Sequence, residues 1–324
     1  MVDKNQVTIY VPLTGGLGNQ LFQYSAALSL NPQNIVLIEN IGNPRLNRSG
    51  SPEILGLDLP QLVSSIKIKS KFLFLGKKVY GYLLRSGTSP GFLQKNCYTQ
   101  NIFHFIANFV FTYLLKDRIR IHQSIDVGFD KIKSNSNFLI GYFQSYKYSN
   151  NPQVLASISS SVQRRICENP EWIRQMKSSN TLLVHVRLTD YLNEKSIGAL
   201  EESYFRDAIN FVLLSKPIKK IVLFSDDIER AKSAIPDDID CVVHIYDDKF
   251  RDSTQVLAAM SIIPLKIISN SSFGWWASRI GNQYENLVFA PNPWFRELED
   301  PRYLIPDNWE TFPADFRERY TDFM

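Results

Sequence analysis

The chain has 324 residues, of which 44% are apolar and 21% are charged, so it can bury the cores of about two domains and is not a disordered chain. Its 36 Lys and Arg exceed its 32 Asp and Glu by a net charge of +4, which suits a phosphate-bearing ligand without indicating nucleic-acid binding. Three widely spaced cysteines predict neither a disulfide framework nor a metal site, and no apolar run of about 18 residues predicts a membrane-spanning helix.

The first part of the chain alternates between strand and helix patterns. An apolar run at 7–13 predicts a strand, a glycine turn at 15–18 follows, and the apolar spacing over 19–30 predicts a helix. A second strand is predicted at 34–38. The sequence therefore predicts a βαβ opening.

The glycine turn is the first candidate site. Glycines let the backbone approach a ligand closely, and a helix start offers free N–H groups to an anion, so Gly16, Gly18, Asn19 and Gln20 are candidate ligand contacts. The turn fits a dinucleotide fingerprint poorly, because Leu21 stands where a third glycine is needed. A tight turn without function would account for the glycines but not for the Asn-Gln pair.

The segment 61–115 contains no Asp or Glu but many Lys and aromatic residues. Within it, 102–115 is strongly apolar, too short to span a bilayer, and interrupted by His104 and Asn108. Two interpretations stay open: a buried helix beside a solvated basic loop, or a basic and aromatic patch that contacts an anionic membrane surface.

The second half alternates regularly between strands and helices, which predicts a parallel sheet flanked by helices. Strands are predicted at 181–186, 220–225, 240–246 and 266–269, and helices at 203–214, from 228, at 253–262 and at 272–280. Ser and Asn residues cluster near 149–170. We therefore predict an N-terminal domain at 1–155 and a C-terminal domain at 156–324.

Charged residues follow the strand predicted at 181–186. Because ligands of open α/β sheets bind at the carboxyl ends of the strands, His185, Arg187 and Asp190 are candidate site residues. An arginine there can hold a diphosphate through two charge-assisted hydrogen bonds. Asp190 could orient Arg187 or accept a proton, and a purely structural Arg–Asp pair is the alternative.

Small polar residues follow the strand predicted at 266–269, where a helix begins at once. Asn270, Ser271, Ser272 and Phe273 lie at this helix start, which predicts a second phosphate site. The two tryptophans that follow are interpreted as packing residues rather than ligand contacts.

Two carboxylates follow the strand predicted at 220–225. Asp226 could accept the N1–H and the exocyclic amine of guanine as a paired contact. Helix capping by Asp226 or Asp227 is the main alternative, and a metal site is weakly indicated because no second ligand cluster accompanies the pair.

Seven short blocks occur in order along nearly the whole chain: GGLGNQLFQYSAAL at 15–28, GYFQSYKY at 141–148, HVRLTDY at 185–191, FSDD at 224–227, SNSSFGWWAS at 269–278, APNPWF at 290–295 and IPDNW at 305–309. This set resembles the family 11 glycosyltransferases, the α-1,2-fucosyltransferases that use GDP-L-fucose. The resemblance implies an α/β fold of the GT-B type, two Rossmann-like domains facing a cleft, with the donor held mainly by the second domain. It also implies no cofactor and no metal.

The chain departs from the family pattern at two places. The family block H-x-R-R-G-D has Leu188 and Thr189 here in place of Arg and Gly, although Arg187 is kept. The family's S-F-S-W-W has Gly274 in place of its second serine, which puts one hydroxyl contact in doubt.

By this resemblance, the chain transfers L-fucose with inversion from GDP-β-L-fucose to the 2-hydroxyl of a terminal galactose. Arg187, Ser271 and Ser272 would stabilise the departing diphosphate, and His185 would contact the ribose or the diphosphate. Asp190 and His185 are the two candidate bases. Asn19 and Gln20 would face the donor across the cleft.

The resemblance also implies a cellular setting. The N-terminal residues, with Asp3 near the start, lack the pattern of a signal peptide, and the chain is similar to the bacterial branch of the family. We expect action in the cytoplasm, peripheral at the inner face of the inner membrane through 61–115, on a lipid-linked, galactose-terminated glycan of the O-antigen type. The rival hypotheses are a different linkage or nucleotide sugar, and a non-catalytic carbohydrate- or nucleotide-binding protein.

Overall fold

The structure is a computed structural model that describes residues 8–39, 41, 52–69, 71–88, 97–123, 131–168, 171, 176, 180–247, 252–280 and 286–318. Val7 of the first predicted strand, residues 89–96 of the basic segment and 169–170 near the predicted boundary lie outside these residues. The chain divides into two compact units, which are described separately: unit 1 is 1–158 with 301–304, and unit 2 is 159–300 with 305–324.

Unit 1 is built on a parallel five-stranded sheet in the order β3-β2-β1-β5-β4. Its strands are β1 (Thr8–Pro12), β2 (Asn34–Ile38), β3 (Leu62–Ile66), β4 (Ile121–Gln123) and β5 (Phe138–Ile140). Its helices are α1 (Leu17–Leu28), α2 (Leu73–Thr88), α3 (Cys97–Leu115), α4 (Tyr146–Ser149) and α5 (Pro152–Glu168), the last of which contains the unit boundary. β1 lies between β2 and β5, so the sheet extends in both directions from the first strand.

Unit 2 is built on a parallel six-stranded sheet in the order β11-β10-β9-β6-β7-β8. Its strands are β6 (Thr181–Val186), β7 (Lys220–Ser225), β8 (Val242–Asp247), β9 (Leu265–Ile268), β10 (Leu287–Asn292) and β11 (Glu310–Pro313). Its helices are α6 (Glu202–Ser215), α7 (Ile228–Ala231), α8 (Ser253–Ser261) and α9 (Ser272–Arg279). The strand order is that of a Rossmann sheet, with the first strand β6 next to the fourth strand β9.

The predicted α/β fold class, with two Rossmann-like parallel sheets, is confirmed. The strands predicted at 34–38, 181–186 and 220–225 have the predicted bounds. Central parallel strands are buried on both faces, and β6 is buried along its whole length, which is why its continuous apolar run could be recognised. α1 begins two residues earlier than predicted, at Leu17, because the extended backbone of Gly16 forms its N-cap.

The interpretation of 102–115 as a buried helix is wrong for one side of α3. Ala107 and Phe111 are fully buried against the sheet, and Phe111 stacks on Phe138 with ring centroids 4.4 Å apart. Phe105 and Phe109, on the other side, are 74% and 71% exposed. The helix carries apolar residues on both sides, and the sheet covers only one of them. Within the described ranges, no helix has both the length and the apolar character needed to cross a membrane.

Candidate active site

The candidate site in unit 2 lies where the strand order of its sheet reverses. β6 pairs with β9 on one side and with β7 on the other, and the three loops that follow these strands leave the same edge of the sheet. They begin at Arg187, Asp226 and Ser269. Crevices at such switch points are where open α/β sheets bind ligands. The fold therefore brings together three of the motifs that the sequence singled out.

Arg187 is held by two carboxylates from different loops. Its Nε and Nη2 donate to Asp190 Oδ1 at 3.0 and 2.7 Å, and its Nη1 lies 3.2 Å from Asp226 Oδ2. Burial alone would lower the pKa of Arg187, but the charges of Asp226 and Asp190 outweigh it and raise that pKa. Of the five N–H donors of a guanidinium, at least one on Nη1 and one on Nη2 remain for an anion. The site thus presents a planar guanidinium that is held in a fixed orientation and has N–H donors available.

Asp226 is a positioning residue rather than an open acceptor. It is 4% exposed, and its Oδ1 accepts from the backbone N–H of Leu188 at 2.9 Å. Its Oδ2 accepts from the Thr189 hydroxyl and faces Arg187. Leu188 and Thr189, which stand where the family block has Arg and Gly, therefore both donate to Asp226. Its two carboxylate oxygens are already engaged, which leaves few lone pairs to accept hydrogen bonds from guanine. The neighbouring Asp227 accepts from Arg230 N at 3.3 Å and caps α7, as the capping alternative predicted.

His185 is buried beside the start of α9. Its side chain is 4% exposed, and its Nδ1 lies 3.2 Å from Ser269 Oγ. A Cβ on Gly274 would lie 2.6 Å from the same Nδ1, so the imidazole, in the orientation that it has here, takes up space that a Cβ would need. Burial, and secondly the charge of Arg187, lower the pKa of His185 to about 4, with Asp226 opposing the shift. The imidazole is therefore neutral at pH 7 and a poor base.

The lowered pKa of His185 predicts a pH-dependent stability. This pKa is about 4 in the folded protein and 6.5 in the unfolded chain. The contribution of the neutral imidazole to the free energy of unfolding is therefore complete above pH 6.5 and is lost as the pH falls from 6.5 to 4. The loss over that window is about 3 kcal/mol. Urea unfolding at several pH values measures it: His185→Asn should flatten the dependence of the unfolding free energy on pH. His244→Asn, at an exposed histidine whose pKa is also lowered by burial and by the charge of Lys220, should flatten it less. If the unfolding free energy of His185→Asn depended on pH as strongly as that of the unchanged protein, the lowered pKa of His185 would be contradicted.

The start of α9 supplies the second predicted group of site residues. The Ser271 hydroxyl accepts from Phe273 N at 3.3 Å and forms the N-cap, while Ser272 and Phe273 are partly exposed in the first turn. A capped helix start combines free N–H groups with the positive end of the helix dipole. Ser271, Ser272 and Phe273 therefore lie at a helix N-terminus suited to an anion, on the loop next to Arg187.

Tyr191 lies between Arg187 and the start of α9, and it was not among the residues predicted for the site. The Arg187 guanidinium lies 5.6 Å from the centroid of the Tyr191 ring, and Ser271 is close enough to the Tyr191 hydroxyl to influence its pKa. Burial raises the pKa of Tyr191 to about 12, so it remains a neutral phenol. The residue was visible as the last letter of HVRLTDY, but nothing in the sequence indicated which loop it would reach.

Asn270 and the two tryptophans have structural roles. Asn270 is 1% exposed and donates through Nδ2 to the carbonyls of Ile197 and Gly198 at 3.3 and 2.9 Å, which holds the 197–198 loop against the end of β9. Trp275 and Trp276 are fully buried, and Trp275 lies 5.6 Å from the ring of Trp309. The interpretation of the tryptophans as packing residues is confirmed, and Trp309 of the closing IPDNW block packs against α9.

The glycine turn of unit 1 lies at the carboxyl end of β1. Gly15 has φ +82°, and a Cβ there would clash with the side chain of Asn19, so a glycine is required. Asn19 Oδ1 accepts from Gln144 Nε2 at 2.8 Å, which ties the turn to the loop after the neighbouring strand β5. Gly16 and Gly18 lie at the start of α1, and a Cβ on Gly16 would meet nothing within 4 Å.

Gln20 is engaged within unit 1 at both ends of its side chain. Its Nε2 donates to Gly15 O and its Oε1 accepts from Ile54 N, both at 3.1 Å. The residue is 2% exposed. The structure therefore gives Gln20 the task of fixing the turn, and Asn19, which is partly exposed, is the member of the pair that a ligand could reach.

Among the residues that the structure describes, no group of three or more His, Cys, Asp or Glu side chains is arranged to hold a metal ion. The charges at the site instead come from one guanidinium and two carboxylates, with a helix N-terminus beside them. The N–H donors of the guanidinium, the serine hydroxyls and the helix N-terminus can donate to the oxygens of an anionic group and can stabilise negative charge that develops on it.

The chain is similar in sequence to a known family and to individual proteins. The sequence profile described as glycosyl transferase family 11 matches residues 91–294, more than half of the chain. The O-antigen biosynthesis glycosyltransferase WbnK of Escherichia coli is 24% identical over 331 residues, covering 93% of this chain and 99% of WbnK. An alpha-1,2-colitosyltransferase of Escherichia coli is 27% identical over 314 residues, covering 92% and 96%. Among solved structures, the E. coli ADP-heptose lps heptosyltransferase II is 10% identical, with a TM-score of 0.49 and coverage of 94% and 90%.

Proposed function

The chain belongs to glycosyl transferase family 11, and from this premise we propose that it transfers L-fucose from GDP-β-L-fucose to the 2-hydroxyl of a terminal galactose, with inversion at the sugar carbon. The observation that carries the proposal is Arg187 at the switch point of the unit 2 sheet, fixed by Asp190 and Asp226 with N–H donors to spare. The diphosphate of a nucleotide sugar can accept hydrogen bonds from the free N–H groups of this guanidinium.

The proposed reaction depends on stabilising the leaving group. As the bond between the sugar carbon and the diphosphate oxygen breaks, negative charge grows on the diphosphate. We assign the stabilisation of that charge to Arg187, to the Ser271 and Ser272 hydroxyls and to the N-terminus of α9. We propose that these groups do so without a metal ion or another cofactor.

Asp190 is the better of the two candidate bases. His185 has a pKa of about 4, and its Nδ1 faces Ser269, so we assign it to a neutral hydrogen-bonding role toward the nucleotide. Asp190 has 41% of its side chain exposed, so a substrate hydroxyl can reach it. Because the sugar carbon becomes cation-like before the hydroxyl loses its proton, the hydroxyl needs only late deprotonation, and holding Arg187 in place remains the main role of Asp190.

We extend the proposal to unit 1 with one change from the sequence analysis. Gly16, Gly18 and Asn19 remain candidate contacts for the donor or the acceptor, because the turn leaves the backbone open and Asn19 is partly exposed. Gln20 is a positioning residue for the same turn. The C-terminal sheet with Arg187 remains the proposed donor site.

A second donor is supported by a specific observation. One relative of the full chain length is named an alpha-1,2-colitosyltransferase, and colitose differs from fucose by the loss of one hydroxyl group. This chain also has Leu188 and Thr189 where the fucosyltransferase pattern has Arg and Gly, and the Thr189 hydroxyl, which a glycine lacks, binds Asp226. GDP-colitose is therefore the alternative donor, with the same diphosphate site.

The relatives also support a setting for the reaction. WbnK is named an O-antigen biosynthesis glycosyltransferase, and we propose that this chain likewise builds a bacterial surface polysaccharide. Its acceptor would then be a galactose-terminated, lipid-linked glycan on the cytoplasmic side of the inner membrane.

The proposal is tested by incubating the purified chain with GDP-fucose or GDP-colitose and a panel of galactose-terminated acceptors, with and without a chelator. We expect a mass increase of one deoxy-sugar on the acceptor, release of GDP, and a 1,2 linkage by NMR, with no loss of rate in the chelator. A different linkage would overturn the proposed specificity. GDP binding without turnover on any acceptor would favour a non-catalytic binding protein.

A further inference from the structure

Unit 1 presents an exposed apolar surface that the proposed reaction does not use. Thirteen large apolar side chains are exposed in the part of the chain that the structure describes, and eight of them lie on α3, on α2 or directly before α2. We call the surface that they form the outer aromatic face and define it by its six most exposed members: Phe72, Phe74, Ile102, Phe105, Phe109 and Tyr113. Such a concentration marks an interaction surface.

The outer aromatic face is a regular helix surface rather than a gap in the core. Ile102, Phe105, Phe109 and Tyr113 recur every three or four residues along α3, which is the spacing of one helix face. The opposite side of α3 already packs on the sheet through Phe111. The core of unit 1 therefore does not need the outer aromatic face.

Contacts between α2 and α3 hold this surface in place. The rings of Phe72 and Tyr113 meet edge to face at 5.0 Å, and those of Tyr82 and Phe103 stack at 3.9 Å. A Cβ on Gly76 would lie 2.9 Å from Leu114, so the two helices approach closely. The exposed rings thus stand on two helices that pack closely against each other.

The charged residues that α2 and α3 carry, together with Lys71 before α2, are all basic. No Asp or Glu occurs between residues 61 and 115, and Lys71, Lys77 and Lys78 are exposed. Lys78 Nζ lies 4.5 Å from the ring centroid of Phe74, so a cation and an aromatic ring share one position. In the described ranges, none of these three lysines has a carboxylate within 4.0 Å. The lysines are therefore available to an anionic partner.

We propose that the outer aromatic face binds the surface of an anionic lipid bilayer. The aromatic side chains enter the headgroup region, and the lysines beside them attract the lipid phosphates. A second copy of the chain is a poorer occupant, because a two-fold contact would bring lysines against lysines. This inference goes beyond the proposed function, since it depends neither on the donor nor on the acceptor sugar.

Cosedimentation of the full chain with lipid vesicles tests the proposal. The vesicles are phosphatidylcholine alone, or phosphatidylcholine mixed with phosphatidylglycerol. We expect at least tenfold stronger binding to the mixed vesicles, weakened by added salt because the attraction is electrostatic. Lys77→Ala with Lys78→Ala should weaken binding roughly 30-fold, and Phe105→Ser with Phe109→Ser roughly tenfold or more.

Matched controls come from exposed positions on or beside α6 in unit 2. Leu214, which is 90% exposed, is replaced by Ser, and Lys216 and Lys219 are replaced by Ala. These variants should bind as the unchanged protein does, and thermal melts verify that every variant folds. The salt dependence of the unchanged protein needs no variant at all.

Several results would overturn the proposal: no binding, equal binding to neutral and anionic vesicles, or variants of the outer aromatic face that bind as strongly as the controls. If vesicles are not bound and light scattering shows a dimer that Phe105→Ser with Phe109→Ser makes monomeric, the face belongs to a contact between copies instead. Transfer activity on a soluble acceptor is measured in parallel. The absence of transfer by the unchanged protein would count against the proposed function and not against the membrane surface.

Discussion

Replacement of Arg187 by alanine should lower kcat/KM for sugar transfer by roughly 10²–10³-fold, the range measured when one preorganised donor to a developing negative charge is removed. Arg187 is the guanidinium of the unit 2 switch point, and it is fixed before any ligand arrives by hydrogen bonds of 3.0 and 2.7 Å to Asp190. Steady-state kinetics with the best donor and acceptor measure the effect.

The same substitution removes the cation that faces Asp226, which is only 4% exposed, so the free energy of unfolding should also fall by about 3 kcal/mol. Arg187→Lys separates the two effects, because it keeps the charge but lacks the planar fork. We expect Arg187→Lys to fold normally and still to lose at least about tenfold in kcat/KM. Arg206→Ala, at a partly exposed arginine on α6, is the matched control. Transfer by Arg187→Ala at the rate of Arg206→Ala would refute the role of Arg187.

Gly274→Ala should reduce transfer by roughly 100-fold, because it moves a group that the site holds in place. The added Cβ would lie 2.6 Å from His185 Nδ1, a separation that real Cβ atoms essentially never show. The imidazole must therefore shift and lose its contact with Ser269 Oγ, which lies 3.2 Å away. Kinetics of the purified variant, together with its affinity for GDP, measure the result.

A double-mutant cycle identifies the cause of that loss. In a His185→Ala background the space is free, so Gly274→Ala should cost little more than His185→Ala alone. Gly81→Ala, where a Cβ would meet nothing within 4 Å, is the glycine control and should leave transfer unchanged. If the losses from His185→Ala and Gly274→Ala simply multiply, the clash is not the mechanism.

Much of unit 2 could be predicted from its sequence because local signals and the tertiary fold agree there. β6 and β7 are continuous apolar runs that end in polar residues, and parallel strands covered on both faces require such runs. The rule that ligands bind at strand ends then selected Arg187 and the residues around Ser271. The strand order that makes these two loops neighbours was not itself visible in the sequence.

The roles of individual polar side chains could not be predicted, since they depend on partners distant in the chain. Gln20 binds Ile54 N, Asp226 binds Leu188 N, and Asn270 binds the carbonyl of Gly198. Each of these residues has a type that suits ligand binding, and each also holds a loop through these bonds. The chain separations, from 34 to 72 residues, exceed the reach of any local pattern.

The departure at Gly274 is explained only by the structure. In the sequence it is a lost hydroxyl, whereas in the structure it is the space that His185 occupies. The exposed side of α3 is a similar case, because apolar residues all around a helix predict burial and cannot show how much of the helix the sheet covers. Both features depend on what lies opposite a residue, and one sequence does not contain that information.

Calorimetric titration of GDP into the unchanged protein and into Arg187→Ala and Arg206→Ala tests the central claim most directly, because it requires neither the correct sugar nor the correct acceptor. We expect saturable binding of GDP by the unchanged protein and by Arg206→Ala, and at least about tenfold weaker binding by Arg187→Ala, since charge-assisted hydrogen bonds to the diphosphate are lost. No detectable binding of GDP by the folded, unchanged protein, or equal binding by all three, would contradict the assignment of the unit 2 switch point as the nucleotide site.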